Sequence, residues 1–143
     1  GVLHCDLKPA NVMLRNDGRV IQGAFGLARS APDPGDVPRG GTAGFLCPEQ
    51  ISDAFGAISV KSDVYGLGAL LYALLTDVPP MTGRDLPETF ANVLSARGPR
   101  SPMALGAPST NAIDAIVMRC LQKEPGLRFD SASDVMRALE SLP

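Results

Sequence analysis

The sequence has few of the residues that mark a metal site, a disulfide framework or a membrane span. It contains no tryptophan, one histidine and three cysteines, and no C-x-x-C pair. This inventory argues against a zinc site, and an odd number of widely spaced cysteines favours a reducing, cytoplasmic setting. The longest apolar run covers only residues 64–75. A membrane-spanning helix needs about 18 apolar residues, so we expect none.

Basic residues are also too few for a protein that binds nucleic acid through its charge. Thirteen lysines and arginines face 15 aspartates and glutamates, which gives a net charge of −2. Hydrophobic residues make up 45% of the chain and charged residues 20%. Such a composition is typical of a globular chain, and 143 residues suffice for one domain with a hydrophobic core.

The local patterns predict one hairpin, one long loop and several helices. Asn16-Asp17-Gly18 lies between short apolar segments and favours a hairpin turn, whereas residues 30–44 are rich in proline and glycine and predict a loop. Ser62 is the expected cap of a buried helix from Asp63 to Leu75, and a weaker helix is expected over 86–96. Two further amphipathic helices are predicted from the apolar positions Ile113, Ile116, Val117, Cys120 and Leu121, and from Val135, Leu139 and Leu142 after a Ser131 cap.

The residues with the clearest chemistry lie in segment 4–11, which reads H-C-D-L-K-P-A-N. A carboxylate such as Asp6 can accept a proton from an attacking hydroxyl group. Lys8 can neutralise charge on a transferred phosphoryl group, and the Asn11 carbonyl oxygen can bind Mg²⁺, which prefers oxygen ligands. One loop that holds all three groups can position a nucleophile, a phosphate and a metal together.

This segment resembles the catalytic loop of protein kinases, H-R-D-L-K-P-x-N, and Lys8 is typical of the serine/threonine branch. Segments that resemble the later motifs of the family follow in the same order along the chain. Their residues are similar to those of bacterial members of the family. The matching segments are A-F-G at 24–26, G-T at 41–42, C-P-E at 47–49, S-D-V-Y-G-L-G at 62–68 and R-C-L…P…R at 119–128.

The resemblance implies the C-terminal lobe of a protein kinase-like fold. This lobe is mainly α-helical, with a small β-hairpin that carries the catalytic and metal-binding loops. We expect residues 1–143 to be a partial kinase domain without its N-terminal lobe, because the chain begins at Gly1 and contains no G-x-G-x-x-G loop and no strand lysine of the V-A-I-K type. The apolar segment 12–22 would then face water, so we also expect the chain to associate.

The resemblance also assigns roles near the expected cleft. Asp6 is the expected catalytic base, Lys8 the contact to the γ-phosphate of ATP, Asn11 a ligand of one Mg²⁺ ion and Thr42 part of the substrate pocket. Met13 is expected beneath the adenine ring, together with Leu70 and Leu74. From the residues alone, these three apolar side chains are equally typical of ordinary core, and Thr42 of a solvated loop.

Other residues have structural roles by resemblance. His4 and Phe25 are expected to pack below the active site, Glu49 and Arg128 to form a buried ion pair, and Asp63 to hold the backbone of the catalytic loop. Alternatively, Glu49 and Arg128 are unrelated surface charges, and Asp63 is a plain acidic residue at a helix N-terminus.

Two departures from the family pattern bear directly on catalysis and its regulation. Ala24 stands where the family has the aspartate that binds Mg²⁺, and a methyl group cannot bind a metal ion. Cys5 replaces an arginine that pairs with a phosphorylated residue, so we expect no switch by phosphorylation of the activation loop. The chain is therefore expected to be deficient in phosphoryl transfer and to bind ATP and Mg²⁺ weakly or not at all.

Three functional hypotheses remain open at the level of sequence. The chain is part of a serine/threonine kinase that phosphorylates proteins, or a pseudokinase lobe that docks a protein partner or a separate N-terminal lobe, or a truncated product without a selected function. Ala24 favours the second and third hypotheses, whereas the intact Asp6, Lys8 and Asn11 indicate descent from an active enzyme.

Overall fold

A computed structural model describes residues 2–23, 28–30 and 42–143. Helices outnumber strands in these ranges, as predicted, and the strands form two small antiparallel sheets, of which one is the predicted hairpin. The α-helices are α1 (Pro48–Ile51), α2 (Val60–Thr76), α3 (Leu86–Leu94), α4 (Asn111–Cys120) and α5 (Ala132–Glu140). The strands are β1 (Val2–Leu3), β2 (Val12–Leu14), β3 (Val20–Gln22) and β4 (Arg29–Ser30). Short 3-10 helices cover Pro9–Asn11, Ala43–Phe45, Asp53–Phe55, Met103–Leu105 and Pro125–Leu127.

Strands β2 and β3 form the predicted hairpin, with Leu14 opposite Val20 and Met13 opposite Ile21. Gly18 has a φ of 81°, the left-handed conformation that a glycine adopts without steric cost. The second sheet pairs β1 with β4, so Ser30 ends a strand rather than opening the loop that was predicted from this position. The other end of that prediction, 43–44, lies in a 3-10 helix, and residues 31–41 lie outside the described residues.

The central helix α2 is buried along most of its length, as predicted, but it begins earlier than expected. Ser59 caps it, and the Ser59 hydroxyl accepts a hydrogen bond from the Lys61 amide at 3.3 Å. Ser62, the predicted cap, is instead the third residue of the helix, and its hydroxyl accepts a hydrogen bond from the Ser59 amide at 3.0 Å. Asp77, in the left-handed conformation, ends α2 before the two prolines that follow it.

Helices α4 and α5 pack on α2 through the predicted apolar faces. Val117 and Val135 have no exposed surface, and the helix caps Thr110 and Ser131 accept backbone hydrogen bonds. The two helices α2 and α4 are tightly packed at Gly68, where an added Cβ would lie 2.4 Å from the Cβ of Cys120. Only a residue without a side chain allows α2 and α4 to approach so closely.

A buried ion pair joins α1 to the segment before α5. The Glu49 carboxylate accepts hydrogen bonds from Arg128 at 2.6 and 2.9 Å, and both side chains have no exposed surface. The other three N–H groups of Arg128 donate to the backbone carbonyls of Lys61, Gln122 and Lys123. All five guanidinium N–H groups therefore have an acceptor, which is what a buried arginine requires.

The electrostatic environment keeps the Glu49 carboxyl group ionised. Burial alone raises its pKa, but hydrogen bonds from Arg128 and Ser62 and the charge of Arg128 outweigh burial, so its pKa lies below the usual 4.5. A carboxyl group whose pKa is lower in the folded chain than in the unfolded chain stabilises the folded state at pH values above its unfolded pKa. Stability from this pair is therefore present above about pH 4.5 and lost as the pH falls through the lower pKa of the folded chain.

We predict that Glu49→Gln lowers the free energy of unfolding by about 3–5 kcal/mol, because it leaves the Arg128 charge buried without its partner. Denaturant unfolding at neutral pH and at acid pH measures this difference, which should shrink at acid pH. Glu88→Gln is the control. It removes the exposed Arg84–Glu88 pair at 2.9 Å and should cost about 1 kcal/mol or less. Equal effects of the two variants would contradict the prediction.

The hairpin leaves an apolar surface open to solvent. The opposed side chains of Leu14 and Val20 are 74% and 67% exposed, and Met13 is 56% exposed. Apolar side chains that are adjacent across two strands form a continuous patch, and such patches promote association.

We predict that the chain associates as its concentration rises and that the double variant Leu14→Lys/Val20→Glu reduces this association. The substituted side chains can pair across the strands, so the hairpin should remain folded while the patch becomes charged. Static light scattering over a concentration series measures the apparent mass. Leu127→Glu, at another position that is 60% exposed, is the matched control. A monodisperse monomer for the unchanged chain would contradict this prediction.

Candidate active site

The candidate catalytic loop, residues 4–8, lies between β1 and the 3-10 helix Pro9–Asn11 and is held by the first turn of α2. The two carboxylate oxygens of Asp63 accept hydrogen bonds from the backbone amides of His4 and Cys5 at 2.8 and 2.9 Å. Cys5 has a φ of 62°, which non-glycine residues rarely adopt and which persists only where surrounding contacts hold it. Because Asp63 belongs to a buried helix, the loop is fixed to the core of the molecule.

Asp6, Lys8 and Asn11 form one hydrogen-bonded group. Oδ2 of Asp6 accepts a hydrogen bond from the Asn11 amide nitrogen at 2.8 Å and lies 3.1 Å from Nζ of Lys8. The same amide nitrogen donates to the Asp6 backbone carbonyl at 2.9 Å. The side chains of Asp6 and Lys8 are 12% and 18% exposed. This geometry fixes the orientation of the Asp6 carboxylate, and no residue of the described ranges donates a hydrogen bond to the side-chain oxygen of Asn11.

His4 is buried and links the candidate catalytic loop to the end of β3. Its Nδ1 accepts a hydrogen bond from the Asp6 amide at 3.3 Å, and its Nε2 lies 3.0 Å from the Gly23 carbonyl oxygen. The side-chain nitrogen of Gln22 lies 3.1 Å from the same Nε2, so this edge of the ring faces the end of β3. His4 therefore fixes the loop to the residue that precedes Ala24. Ala24 and Phe25 themselves lie outside the described residues.

The oxygen donors fit a magnesium ion only in part. Mg²⁺ is usually bound through one or two carboxylates together with phosphate oxygens. Asn11 provides a neutral amide oxygen, Asp6 is already paired with Lys8, and the alanine at position 24 provides no ligand. Within 2–23, 28–30 and 42–143, no group of three or more histidine, cysteine, aspartate or glutamate side chains is placed to hold a metal ion.

Comparison with known proteins is decisive for the family. The model of the protein kinase domain matches residues 1–139. The chain belongs to the protein kinase family. It is 38% identical over 146 residues to a probable serine/threonine-protein kinase of Streptomyces coelicolor, covering 99% of this chain and 21% of that protein. It is 37% identical over 143 residues to the serine/threonine-protein kinase PknB of Mycolicibacterium smegmatis, covering 96% of this chain and 22% of that protein. The same identity is found with PknB of Mycobacterium tuberculosis. This kinase chain thus spans about a fifth of the length of these relatives.

The other residues assigned from the resemblance differ in how far they are exposed to solvent. Thr42 is exposed and precedes the 3-10 helix Ala43–Phe45, where its carbonyl accepts a hydrogen bond from Phe45. Leu70 is buried, but Met13 is 56% and Leu74 66% exposed. The interpretation of Met13 and Leu74 as ordinary core is therefore wrong, because the hairpin and the end of α2 carry these side chains into solvent. Glu49 and Arg128 are likewise not surface charges.

No helix in the described part of this kinase chain is both long enough and apolar enough to cross a bilayer.

All three cysteines are buried thiols. Burial holds the pKa of Cys47 well above its usual value and raises that of Cys120 to about 12.

We predict that Asp63→Ala lowers the free energy of unfolding of this kinase chain by roughly 3 kcal/mol, because it removes two hydrogen bonds that reach a charged acceptor. Chemical denaturation measures the change. Asp85→Ala is the control, since Asp85 is also an acidic residue at a helix N-terminus but caps only α3, which should cost about 1 kcal/mol. A cost for Asp63→Ala no larger than for Asp85→Ala would be inconsistent with this role.

Proposed function

We propose that residues 1–143 form the C-terminal lobe of a bacterial-type serine/threonine kinase domain and carry its catalytic loop. Asp6 is the base that orients and deprotonates a protein serine or threonine hydroxyl. Lys8 contacts the γ-phosphate of ATP, and Asn11 is a magnesium ligand. The observation that supports this proposal is the hydrogen-bonded group of Asp6, Lys8 and Asn11, which is fixed through the loop backbone to Asp63.

The two carboxylate oxygens of Asp6 have different surroundings. Oδ2 is occupied by Asn11 and Lys8. Across the described ranges no hydrogen bond reaches Oδ1, so this oxygen is the one that receives the substrate proton. Lys8 lies beside the same carboxylate and offers a positive charge to the phosphoryl group as it transfers to the substrate oxygen. Thr42 contributes to the pocket that receives the substrate residue.

Phosphoryl transfer by this chain is proposed to be impaired. Ala24 provides no carboxylate for the metal ion that neutralises the phosphates of ATP. The sequence also has no G-x-G-x-x-G segment to cover those phosphates. Met13 offers one apolar side chain toward adenine, in agreement with its exposure on the hairpin. The remaining assigned residues, His4, Phe25, Glu49, Asp63 and Arg128, are proposed to maintain the lobe.

Titration with Mg-ATP and a phosphoryl-transfer assay test this proposal. We predict that the unchanged chain shows no clear thermal shift with Mg-ATP and no transfer to a generic protein substrate. Ala24→Asp should produce a magnesium-dependent thermal shift with ATP, because it restores a carboxylate ligand, whereas Ala24→Asn, of the same size but neutral, should do so much less. A clear shift for the unchanged chain, or equal shifts for the two variants, would show that position 24 does not limit binding.

A second candidate function is a pseudokinase module that docks a protein partner, in a cytoplasmic setting, without catalysis. Ala24 is the observation that favours it, since the fold is retained while a metal ligand is replaced. An assay on a longer protein that contains this chain separates the two candidates. Transfer to protein serine or threonine that is lost on Asp6→Asn, with Ala24 in place, would exclude the pseudokinase.

A further inference from the structure

Gln50 makes a contact with the candidate catalytic loop that no sequence motif indicates. It lies in α1, directly after the buried Glu49, and is 45 positions from Cys5 in the sequence. Its amide nitrogen donates to the Cys5 backbone carbonyl at 2.8 Å. Its amide oxygen accepts from the Cys47 backbone amide at 3.1 Å and from the Cys47 thiol at 3.2 Å. The orientation of the amide follows from these partners, because a carbonyl only accepts and a backbone amide only donates.

The position of this bond gives it a specific effect. Cys5 adopts the left-handed conformation immediately before Asp6, and its amide is already held by Asp63. Gln50 holds the carbonyl of the same residue, so the two sides of Cys5 are fixed by two separate helices. The Cys5 carbonyl belongs to the peptide unit that leads into Asp6. Rotation of that unit would redirect the Asp6 side chain and would disturb the hydrogen bond from the Asp6 amide to His4.

We propose that Gln50 is a positioning residue, which keeps Asp6 aligned by holding the Cys5 carbonyl. The proposal rests on the proposed function only in identifying Asp6 as the base. Through Gln50, α1 contacts the candidate catalytic loop directly, whereas its neighbour Glu49 joins α1 to Arg128.

Two variants separate this role from a purely local role as a helix cap. Gln50→Glu keeps an acceptor for Cys47 but loses the donor to Cys5. Gln50→Lys keeps a donor for Cys5 but loses the acceptor for Cys47. Gln122→Glu and Gln122→Lys are matched controls, because the Gln122 side chain is exposed and donates to the Met118 carbonyl in the last turn of α4.

The experiment is residue-resolved amide hydrogen exchange by NMR, together with the carbonyl-carbon chemical shift of Cys5, on the full 143-residue chain. In Gln50→Glu we expect exchange at Cys5 and Asp6 to accelerate about five- to tenfold, the effect of one lost hydrogen bond, and the Cys5 carbonyl signal to move. In Gln50→Lys both readouts should stay close to those of the unchanged chain. Amides within α2 should change little in either variant.

The opposite order, with Gln50→Lys impaired and Gln50→Glu unchanged, would assign Gln50 to capping α1 and overturn the proposal. Unchanged loop exchange in both variants, or equal acceleration in the loop and in α2, would overturn it as well. Exchange and chemical shift do not depend on phosphoryl transfer. Failure of Ala24→Asp to gain a nucleotide response would therefore count against the proposed function and not against the positioning role.

Discussion

The carboxylate of Glu49 and the guanidinium of Arg128 are buried without exposed surface, and this places a strict condition on the chain around them. Two charges in a low-dielectric interior are tolerated only when every hydrogen-bonding group has a partner. The carbonyls of Lys61, Gln122 and Lys123 and the hydroxyl of Ser62 meet that requirement together. The start of α2 must therefore sit in one place relative to α1 and to the segment before α5.

The position of the candidate site depends on the contacts of the buried ion pair. Ser62 contacts Glu49, and the next residue, Asp63, holds the amides of His4 and Cys5. Two adjacent residues of α2 therefore contact the buried ion pair and the loop that carries Asp6. The arrangement of Asp6, Lys8 and Asn11 is therefore tied to the same first turn of α2 that contacts the buried ion pair.

Local rules predicted the elements that depend on neighbouring residues. The Asp-Gly turn, the apolar period of α4 and the serine cap of α5 are all properties of short windows, and the structure confirms them. The predicted start of α2 was wrong because Ser59 and Ser62 are equally suitable caps by residue type. In the structure the Ser62 hydroxyl donates a hydrogen bond to Glu49, 13 positions away in the sequence, and Ser59 caps the helix. Gln50 was missed for the same reason, since its contact with Cys5 is visible only in three dimensions. The exposure of Leu74 was equally hidden, because an apolar residue type does not reveal which side of an element faces solvent. Met13 differs, because it belongs to segment 12–22, which was expected to face water.

The close packing of α2 against α4 has a chemical consequence for the thiols. Cys120 lies against Gly68 without exposed surface, and Cys47 is enclosed beside the buried ion pair. Only thiolates react readily, and burial raises the pKa of both groups far enough to keep them protonated. We therefore expect these two thiols to react slowly with alkylating reagents while the chain is folded. The rate at which these thiols are labelled would therefore report how often the core opens, and no probe has to be introduced by mutation.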